Sequence, residues 1–476
     1  MYSLLFLAGV SFLWSLLLTP LVRNLFRRWG VVSHPGGERA IHDRPIPRVG
    51  GVAIIISYLL AYGCLLLVQL KASFIVSESL DSVLRLLPAA AIIFLIGLID
   101  DLKGVEPWHK LIGEIIAGGF AYWAGIHVQG FGGYNLGPWW SLPLTILWLI
   151  ACTNAINLID GVDGLATGVG LFATCTTLIA ALLQNNIDLA LAVVPLAGCL
   201  LGFLRYNFNP ATIFLGDSGS LFIGFLLGCY GVLWSQKAAT ILGMTAPLIA
   251  LSVPLLDTGL AIFRRFLRRQ PIFEGDRGHI HHRLLDRGLT QRKVALTLYA
   301  CCAVGATCSI LMMNKNFSGV VVLIFCFMSW IGIQHLGYIE FGVAGRMFIE
   351  GAFRRLLNSQ IALQTYEDRL NAATTPTEYW NVMEAALKEF GFHRAHMMLG
   401  GQAFDWQDSD YPVSSWDVTI PITDLDFVRL TRPFGASGQP NVVAALADIL
   451  RKTLIAKRPD YINAPHVYQA AAGRSD

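Results

Sequence analysis

Residues 142–166 read LPLTILWLIACTNAINLIDGVDGLA, and this stretch decides the fold class of the chain. Leu142–Ile159 is an apolar run close to the length of about 20 residues that a helix needs to cross a bilayer. Asn154, Asn157 and Asp160 follow one another at steps of three, so a helix places them on one face. Amides and carboxylates are unfavourable at the edge of a membrane unless they have a partner or a function. The stretch therefore predicts a membrane helix that ends in a binding site.

The whole chain has the composition of a membrane protein. Hydrophobic residues make up 54% of its 476 residues and charged residues only 14%, whereas soluble domains carry about 25% charged residues. We identify eleven runs long enough to span a bilayer: Tyr2–Val22, Val52–Leu70, Ser82–Ile99, Leu111–Val128, Leu142–Ile159, Leu165–Gln184, Leu189–Leu204, Ser218–Ser235, Gly243–Phe263, Val294–Met313 and Phe317–Leu336. The first run has no small-residue cleavage site after it, so it is interpreted as a helix and not as a signal peptide. The predicted fold is an all-α polytopic membrane helix bundle of about eleven spans with a small C-terminal α+β cytosolic domain.

Several classes of protein are excluded by simple counts. The net charge of +3 is too small to indicate a nucleic-acid partner. The nine cysteines all lie in apolar runs, which excludes a secreted disulfide scaffold and a Cys-x-x-Cys zinc site. No G-x-x-x-x-G-K-[ST] sequence occurs, so hydrolysis of ATP by a P-loop is not indicated.

The distribution of Lys and Arg predicts the orientation. The loops after the first and the ninth runs are rich in arginine, whereas the loops of opposite parity carry few basic residues. Because basic loops stay in the cytosol, the N-terminus is predicted to lie outside and the C-terminus inside. Residues 1–340 form the predicted membrane domain. Residues 345–476, which are richer in charge, form the predicted cytosolic domain.

The cytosolic domain shows its own pattern of helices and strands. The periodicity of apolar residues predicts two helices, then three strands, then a closing helix. The predicted ranges are Arg354–Leu370, Trp380–Phe390, His393–Leu399, Trp416–Ile422, Asp426–Thr431 and Val442–Ile455. This order resembles a GAF-type sensor fold, although the sequence contains no ligand motif of that fold.

Acidic residues gather at the predicted cytosolic ends of the spans. Asp100 and Asp101 end the third span, Asp160 and Asp163 end the fifth, and Asp217 precedes the eighth. Acids from three separate segments predict one convergent anionic site, where paired carboxylates bind a metal or accept a proton. For Asp100 and Asp101 alone, a solvated helix end is an equally good interpretation.

Asp217 lies directly before an apolar run, where an acid often caps a helix. Arg205 and Asn207 precede it in the same loop and add a cation and an amide. An acid in this setting is suited to Mg²⁺, which binds one or two carboxylates together with phosphate oxygens. Lys110 and Glu114 are four residues apart, and we expect a structural ion pair between them.

A cluster of histidines follows the ninth span. His279, His281 and His282 lie within four residues, with Arg283 next to them. A zinc site is one interpretation, but no cysteine is near and the spacing is not that of a His-Glu-x-x-His motif. Donors to a diphosphate are the favoured interpretation. Arg48, in the first cytosolic loop, is a further candidate for contact with phosphate.

In combination, these motifs resemble the polyprenyl-phosphate N-acetylhexosamine-1-phosphate transferases over residues 1 to about 340. Members of that family couple a UDP-amino sugar to undecaprenyl phosphate and release UMP, as the first step of a cell-surface polysaccharide. Their fold is a bundle of ten or eleven helices in the bacterial inner membrane. The sequence His279-Ile-His281-His282 is similar to the branch that uses UDP-N-acetylglucosamine. The other branch, the phospho-N-acetylmuramoyl-pentapeptide transferases, carries Pro-Ile-His-His-His and is the alternative.

The resemblance also implies roles for single residues and for a cofactor. Asp217 matches the ligand of Mg²⁺, with Mn²⁺ as a substitute, and Asp100, beside Asp101, matches the acid that deprotonates the lipid phosphate. Asp160 and Asp163 are grouped with them as catalytic. The remaining matches are Asn157 for the nucleotide sugar, Asn207 and Phe214 for the uridine pocket, and Lys110, His279, His281, His282 and Arg48 for phosphates. The partners implied are a UDP-amino sugar, a polyprenyl phosphate and, as one arrangement, a second copy of the chain.

A rival from another class is a transporter of an anionic solute. Transporters bind their substrates near the middle of the bilayer, at a site open in turn to each face. Here the acids of the motifs lie on one face, which favours an enzyme. A receptor whose functional part is the C-terminal domain would not need the Asn154–Asp163 motif or the histidines.

Overall fold

The computed structural model describes residues 2–33, 45–78, 80–131, 134–237, 245–267, 270, 278–314, 316–337, 352–408, 414–434 and 440–457. The chain divides into two compact units, Met1–Tyr338 and Ile339–Asp476. Each unit is described by itself below.

The first unit consists mainly of helices. Their ranges are α1 Tyr2–Arg28, α2 Gly50–Val68, α3 Lys71–Glu78, α4 Leu80–Lys103, α5 Pro107–Trp123, α6 Pro138–Leu158, α7 Leu165–Leu183, α8 Ile187–Asn207, α9 Gly216–Lys237, α10 Thr245–Ala250, α11 Ser252–Leu267, α12 Ile280–Asp286, α13 Gln291–Leu311 and α14 Ser318–His335. A two-stranded hairpin, β1 Gly130–Phe131 and β2 Tyr134–Asn135, lies between α5 and α6. The helices α7, α8 and α9 are at the centre, and their apolar side chains form most of the main core.

Among the described residues, eight helices are long and apolar enough to cross a membrane: α1, α2, α6, α7, α8, α9, α13 and α14. The prediction of a polytopic helical membrane protein is confirmed. Two more predicted spans coincide with α4 and α5. Helix α4 has 24 residues but carries charged residues at both ends, and α5 has 17 residues and contains Lys110 and Glu114.

The ninth predicted span, Gly243–Phe263, starts in part outside the described residues and is not one continuous helix. It is divided at Leu251 into α10 and α11. Pro254 explains the break, because proline has no N–H to donate to the carbonyl of Ala250, four residues earlier.

The second unit is a small α+β structure. It contains α15 Ala352–Ala372, α16 Pro376–Glu389, β3 Arg394–Leu399, β4 Gln402–Gln407, β5 Ser415–Pro421, β6 Phe427–Pro433 and α17 Pro440–Ala456. The four strands form an antiparallel sheet in the order β4-β3-β6-β5. The three helices and three of the strands were predicted from the sequence.

The strand β4 was missed by the sequence analysis. It is the edge strand of the sheet, and its side chains are mostly exposed, so it lacks a buried apolar pattern. The signal that was present is the pair Gly400-Gly401 between β3 and β4. Both residues have positive φ, 59° and 77°, as a two-residue type I′ hairpin turn requires.

Candidate active site

The ends of α4, α5 and α9 meet around Lys110. The ammonium of Lys110 lies 2.9 Å from Oδ2 of Asp217 and 3.5 Å from Oδ2 of Asp100. The amide of Asn157, at the end of α6, donates a hydrogen bond of 3.2 Å to the same oxygen of Asp217. The structure thus brings together four predicted residues from four separate helices. Because all three charged side chains keep some exposure, between 11% and 21%, a polar substrate can reach them.

Lys110 does not form the ion pair with Glu114 that the sequence suggested. Its two carboxylate contacts are with Asp100 and Asp217. Glu114 accepts a hydrogen bond of 2.6 Å from the amide of Asn154 and is buried. Residues four apart on a helix point the same way, but the packing of α5 against α4 and α9 gives Lys110 closer partners.

The close approach of α4 and α9 depends on a glycine. A Cβ atom on Gly97 would lie 2.5 Å from the backbone oxygen of Asp217, which is too short for any side chain. With only a hydrogen at Gly97, the first turn of α9 can lie directly on α4. This contact carries Asp217 to Asp100, which lies three residues after the glycine.

Asp101 caps the N-terminus of α9. Its carboxylate accepts hydrogen bonds from the backbone N–H groups of Asp217, at 2.8 Å, and Ser218, at 3.0 Å. The first N–H groups of a helix have no partner within the helix and attract a negative charge. Asp217, which the sequence allowed as a cap, instead lies within the first turn and directs its side chain at Lys110. Arg48 approaches Asp101 at 3.9 Å.

The turn between α6 and α7 holds two predicted acids in different surroundings. Burial raises the pKa of Asp160 well above its usual range, and the nearby carboxylates of Asp217 and Asp101 raise it further. Asp160 therefore lies within electrostatic range of the same cluster. Asp163 turns to the loop after α8, where it accepts hydrogen bonds from the side chain of Asn209 and the backbone of Ala211, at 3.0 and 2.9 Å. Through these contacts, Asp163 connects the loop after α8 to the turn between α6 and α7.

Asn207 and Phe214 have structural contacts of their own. The amide of Asn207 is buried, accepts a hydrogen bond from Thr167 and donates one to the carbonyl of Ile213. The backbone of Phe214 pairs with Pro47 and Gly50, at the start of α2. Both ends of the Asn207 amide are engaged within the protein, so this residue shapes the loop between α8 and α9.

Asp257 fixes the start of the histidine helix α12. One carboxylate oxygen of Asp257 lies 3.0 Å from Nδ1 of His279, and the other accepts a hydrogen bond of 2.8 Å from the backbone of Ile280. Asp257 and His279 are both buried. A carboxylate that binds a backbone N–H at the start of a helix stabilises that terminus. His279 is thus an anchor of the helix, and its Nδ1 is occupied.

His281 lies against the turn that carries Asp160. A Cβ on Gly161 would be only 2.6 Å from Nε2 of His281. His281 is buried, and within the described part of the chain neither of its ring nitrogens has a hydrogen-bond partner. Burial and the neighbouring His282 lower the pKa of His281 to about 4. The imidazole is therefore neutral near pH 7 and has one N–H to donate to a ligand.

Arg283 points away from the histidines, contrary to the expectation that it joins them at a diphosphate. Its Nη1 donates hydrogen bonds of 3.1 Å to the carbonyls of Leu336 and Gly337. One turn later, Arg287 donates to the carbonyl of His335. These carbonyls end α14, where the helix dipole attracts positive charge. The two arginines join the histidine helix to the end of the last membrane helix.

Comparison with known proteins gives a clear relationship. A model of the family described as glycosyl transferase family 4 matches residues 83–235. A Bacillus subtilis protein named "probable undecaprenyl-phosphate N-acetylglucosaminyl 1-phosphate transferase" is 37% identical over 297 residues, which are 61% of this chain and 79% of that protein. The decaprenyl-phosphate N-acetylglucosaminephosphotransferase of Mycobacterium tuberculosis is 35% identical over 331 residues, 63% of this chain and 81% of that protein. This chain belongs to the polyprenyl-phosphate N-acetylglucosamine-1-phosphate transferase family.

Members of the other branch of the same family also match, over a shorter part of the chain. The phospho-N-acetylmuramoyl-pentapeptide-transferase of Levilactobacillus brevis is 30% identical over 207 residues, 41% of this chain and 61% of that protein. The transferase is thus a multi-pass membrane enzyme of the glycosyl-phosphate transferase class. Because more than a third of the chain lies outside the match with the Bacillus subtilis relative, that relative does not account for the whole protein.

The transferase has a cavity of about 370 Å³ beside the acids. It is lined by Gly30–Ser33, at the end of α1, and by Arg48, Asp101 and Leu102. This volume is within the range of about 300–1,000 Å³ that is usual for sites of small ligands. Backbone groups, an arginine and a carboxylate give the cavity a polar lining that suits a phosphorylated substrate.

Proposed function

We propose that the chain transfers N-acetylglucosamine 1-phosphate from UDP-N-acetylglucosamine to undecaprenyl phosphate. An oxygen of the lipid phosphate attacks the β-phosphorus of the nucleotide sugar and forms a new diphosphate bond. The bond between that phosphorus and the bridging oxygen breaks, and UMP leaves with this oxygen. The product is the first lipid intermediate of a cell-surface polysaccharide. The observation that carries the proposal is the placement of Lys110 between Asp100 and Asp217, in a chain whose relatives are named for this transfer.

The charges around Lys110 suit phosphoryl transfer. Lys110 would contact the diphosphate of the nucleotide sugar once phosphate competes with the carboxylates for its ammonium. Asp100, 3.5 Å from this ammonium, would accept the proton of the lipid phosphate as a general base. Asp101 would position the first turn of α9 through its two hydrogen bonds to the backbone. Asn157 would orient Asp217, to which it donates.

We further propose that the enzyme uses Mg²⁺, for which Mn²⁺ can substitute. In the described part of the chain, no three His, Cys, Asp or Glu side chains come together as a metal site. Mg²⁺ does not need such a set, since it is commonly held by one or two carboxylates and the phosphates of a substrate. Asp217, which keeps some exposure beside Lys110, provides such a carboxylate and would hold the ion together with substrate phosphates. When bound, Mg²⁺ neutralises charge on the phosphates during transfer.

The histidine helix α12 would contribute further hydrogen-bond donors to the nucleotide sugar. His281 would donate to a phosphate oxygen of the nucleotide sugar, because it lies at the turn that carries Asp160 and has no hydrogen-bond partner within the described residues. His282, whose ring lies 4.3 Å from that of His281, would extend this contact. Asp257 would hold both in place through His279 and Ile280.

The proposed location is the bacterial inner membrane, with the N-terminus outside and the C-terminal unit in the cytosol. The basic loops support this orientation, as does a nucleotide-sugar substrate that is made in the cytosol. A reporter fused after Gly345 is expected to be active only if it is a cytosolic reporter. Activity of a reporter that works only outside the cytosol would contradict the orientation.

The test of the reaction is transfer of a labelled sugar into lipid. Purified protein in detergent is incubated with undecaprenyl phosphate, Mg²⁺ and UDP-N-acetylglucosamine labelled in the sugar and in the β-phosphate. Both labels are expected in the lipid fraction, with UMP in the aqueous phase. UDP-N-acetylgalactosamine and UDP-N-acetylmuramoyl-pentapeptide are tested in parallel. Labelling only from the pentapeptide substrate would assign the chain to the other branch, and no labelling from any of the three would contradict the proposal.

A further inference from the structure

The second unit contains a buried arginine for which the described residues show no acidic partner. Arg432, near the end of β6, is only 4% exposed. Within the described part of the chain, neither its Nε nor its Nη2 has a hydrogen-bond partner. A guanidinium cannot lose its proton in a protein, so its Nε–Nη2 edge keeps positive charge in the interior. An unpaired buried charge is strongly unfavourable, and the fold therefore carries this residue at a loss of stability.

The position of Arg432 in the sheet makes this burial unusual. Side chains alternate between the faces of a strand, so Arg432 shares its face with Val428 and Leu430, which are both fully buried in the core. The guanidinium lies over the ring of Phe392, with its carbon 5.9 Å from the ring centre. On the neighbouring strand, Trp416 is the residue directly opposite. The arginine thus projects into an aromatic environment at one end of the core.

The described acids on the neighbouring strands have other partners or lie on the other face of the sheet. Asp408, which follows β4, lies 4.0 Å from Nδ1 of His393. Asp417 is paired in register with Thr431 and so lies on the opposite face of the sheet from Arg432. Asp426 accepts a hydrogen bond from the backbone of Gly400. Asp405 pairs with His396 on the adjacent strand at 2.8 Å. Among the described residues, no carboxylate is paired with the Nε or Nη2 of Arg432, so an anion from outside the fold would supply the missing partner.

The two free nitrogens define the chemistry of that anion. Nε and Nη2 form one edge of the guanidinium, and their N–H groups point in parallel. This edge matches two oxygens of a carboxylate or a phosphate, which it binds through two hydrogen bonds. We propose that the second unit binds a small-molecule oxyanion, a carboxylate or a phosphate, at the Nε–Nη2 edge of Arg432. This binding site is separate in sequence from the transferase residues, all of which precede residue 283.

Binding at this edge requires a local opening. Both nitrogens are closed to solvent, so the anion reaches them only when side chains at this end of the sheet separate. Once bound, the anion pairs the buried charge and stabilises β5 and β6 against further opening. The occupied and empty states therefore differ in the local stability of these two strands, which is a property that an experiment can follow.

The experiment is hydrogen exchange on the full-length protein in detergent, read from peptides that cover β5 and β6. Sodium phosphate and sodium acetate are the probes, and sodium chloride at equal ionic strength is the control. Either probe is expected to slow the exchange of these peptides severalfold, whereas chloride is not. A response to phosphate alone or to acetate alone supports the proposal and decides the class of the ligand. No response to either overturns it.

Two variants test whether Arg432 is responsible. Arg432→Met keeps the length of the side chain without its charge, and it is expected to slow exchange before any anion is added and to abolish the response to anions. Arg429→Met, on the exposed face of the same strand, is the matched control and should keep the response. Faster exchange in Arg432→Met would show that the arginine has a structural role, and an unchanged anion response would show a different binding site. Either result overturns the proposal.

If Arg432→Met does not fold, Arg432→Lys serves as the second variant. Lysine keeps the charge but has no fork of two parallel donors. The response to phosphate and acetate should then require severalfold higher concentrations than in the wild-type protein. An equal response at equal concentration would contradict binding through the Nε–Nη2 edge.

Discussion

Replacement of Asp101 by asparagine separates the role of a cap from that of a catalytic acid. In the structure, Asp101 is 7% exposed and accepts hydrogen bonds from two backbone N–H groups at the start of α9. Asparagine keeps one acceptor oxygen and places an NH₂ group where the second oxygen was. One hydrogen bond to a charged group is lost, which corresponds to about 1.5–3 kcal/mol. The Arg48 contact, at 3.9 Å and half exposed, adds little to this.

The lost bond lies next to the residue proposed to bind the metal. If the full free energy appears in the positioning of Asp217, kcat/KM falls about 10–100-fold, since 1.36 kcal/mol corresponds to a factor of ten. We expect that higher Mg²⁺ concentrations recover part of the rate, because the displaced Asp217 would bind the ion more weakly. The assay is the labelled-sugar transfer described above, repeated over a series of Mg²⁺ concentrations, together with a thermal unfolding curve.

Asp188→Asn is the matched control. Asp188 is an acid in the first turn of α8, exposed and distant in sequence from the cluster. This variant should transfer sugar phosphate at the wild-type rate. Two results for Asp101→Asn would refute the reasoning. Normal activity and stability would show that the cap is dispensable. A complete loss of activity with unchanged stability and unchanged Mg²⁺ dependence would show that Asp101 acts directly on the substrate.

Four further results are expected. Asp217→Asn should reduce transfer to background at every Mg²⁺ concentration, while near-normal turnover would remove this residue from the proposed metal site. Asp100→Asn should lower kcat about 10²–10⁴-fold, as for a general base, with a smaller loss at high pH, where the lipid phosphate is already a dianion; an equal loss at every pH would indicate positioning instead. Asp257→Asn should raise KM for the nucleotide sugar more than it lowers kcat, because it loosens the histidine helix, and Asp257→Glu should recover part of the loss. The pKa of His281 is lowered to about 4 in the folded state, so as the pH falls the unfolded chain binds a proton at this residue before the folded protein does. The contribution of His281 to the free energy of unfolding should therefore be fully present above about pH 6.5 and decrease as the pH drops toward 4. Unfolding measured at both ends of this range should show a weaker pH dependence in His281→Asn.

Several features of the site follow from local sequence and needed no knowledge of the packing. Hydropathy identified the membrane helices because a bilayer demands about 20 apolar residues in each span. The acids at the ends of those spans were visible as a group because charges are rare in such runs. In the second unit, the alternation of apolar residues revealed β3, β5 and β6, whereas the exposed edge strand β4 had no such pattern.

The partners within the site were decided only by the tertiary structure. Lys110 and Asp217 are separated by 107 residues and meet because the first turn of α9 packs on α4 at Gly97. Local spacing favoured the wrong partner for Lys110, since Glu114 is four residues away and on the same side of α5. The sequence also could not tell which of Asp101 and Asp217 caps α9, because each lies at a helix end and only the contact between the helices assigns the role.

Composition and the spacing of residues along the chain are enough to identify a polytopic membrane protein with acids and histidines at one end of its helices. The tertiary structure decided which side chains face the substrate site and which hold the fold. Three charged residues outside the cluster illustrate this. Asp257 contacts a histidine and Arg283 donates to helix carbonyls. Arg432 lies on a buried face of the sheet. The physical reason is that the role of a charged side chain depends on the groups it contacts. Contacts between distant segments are set by the rotation and packing of whole helices and strands.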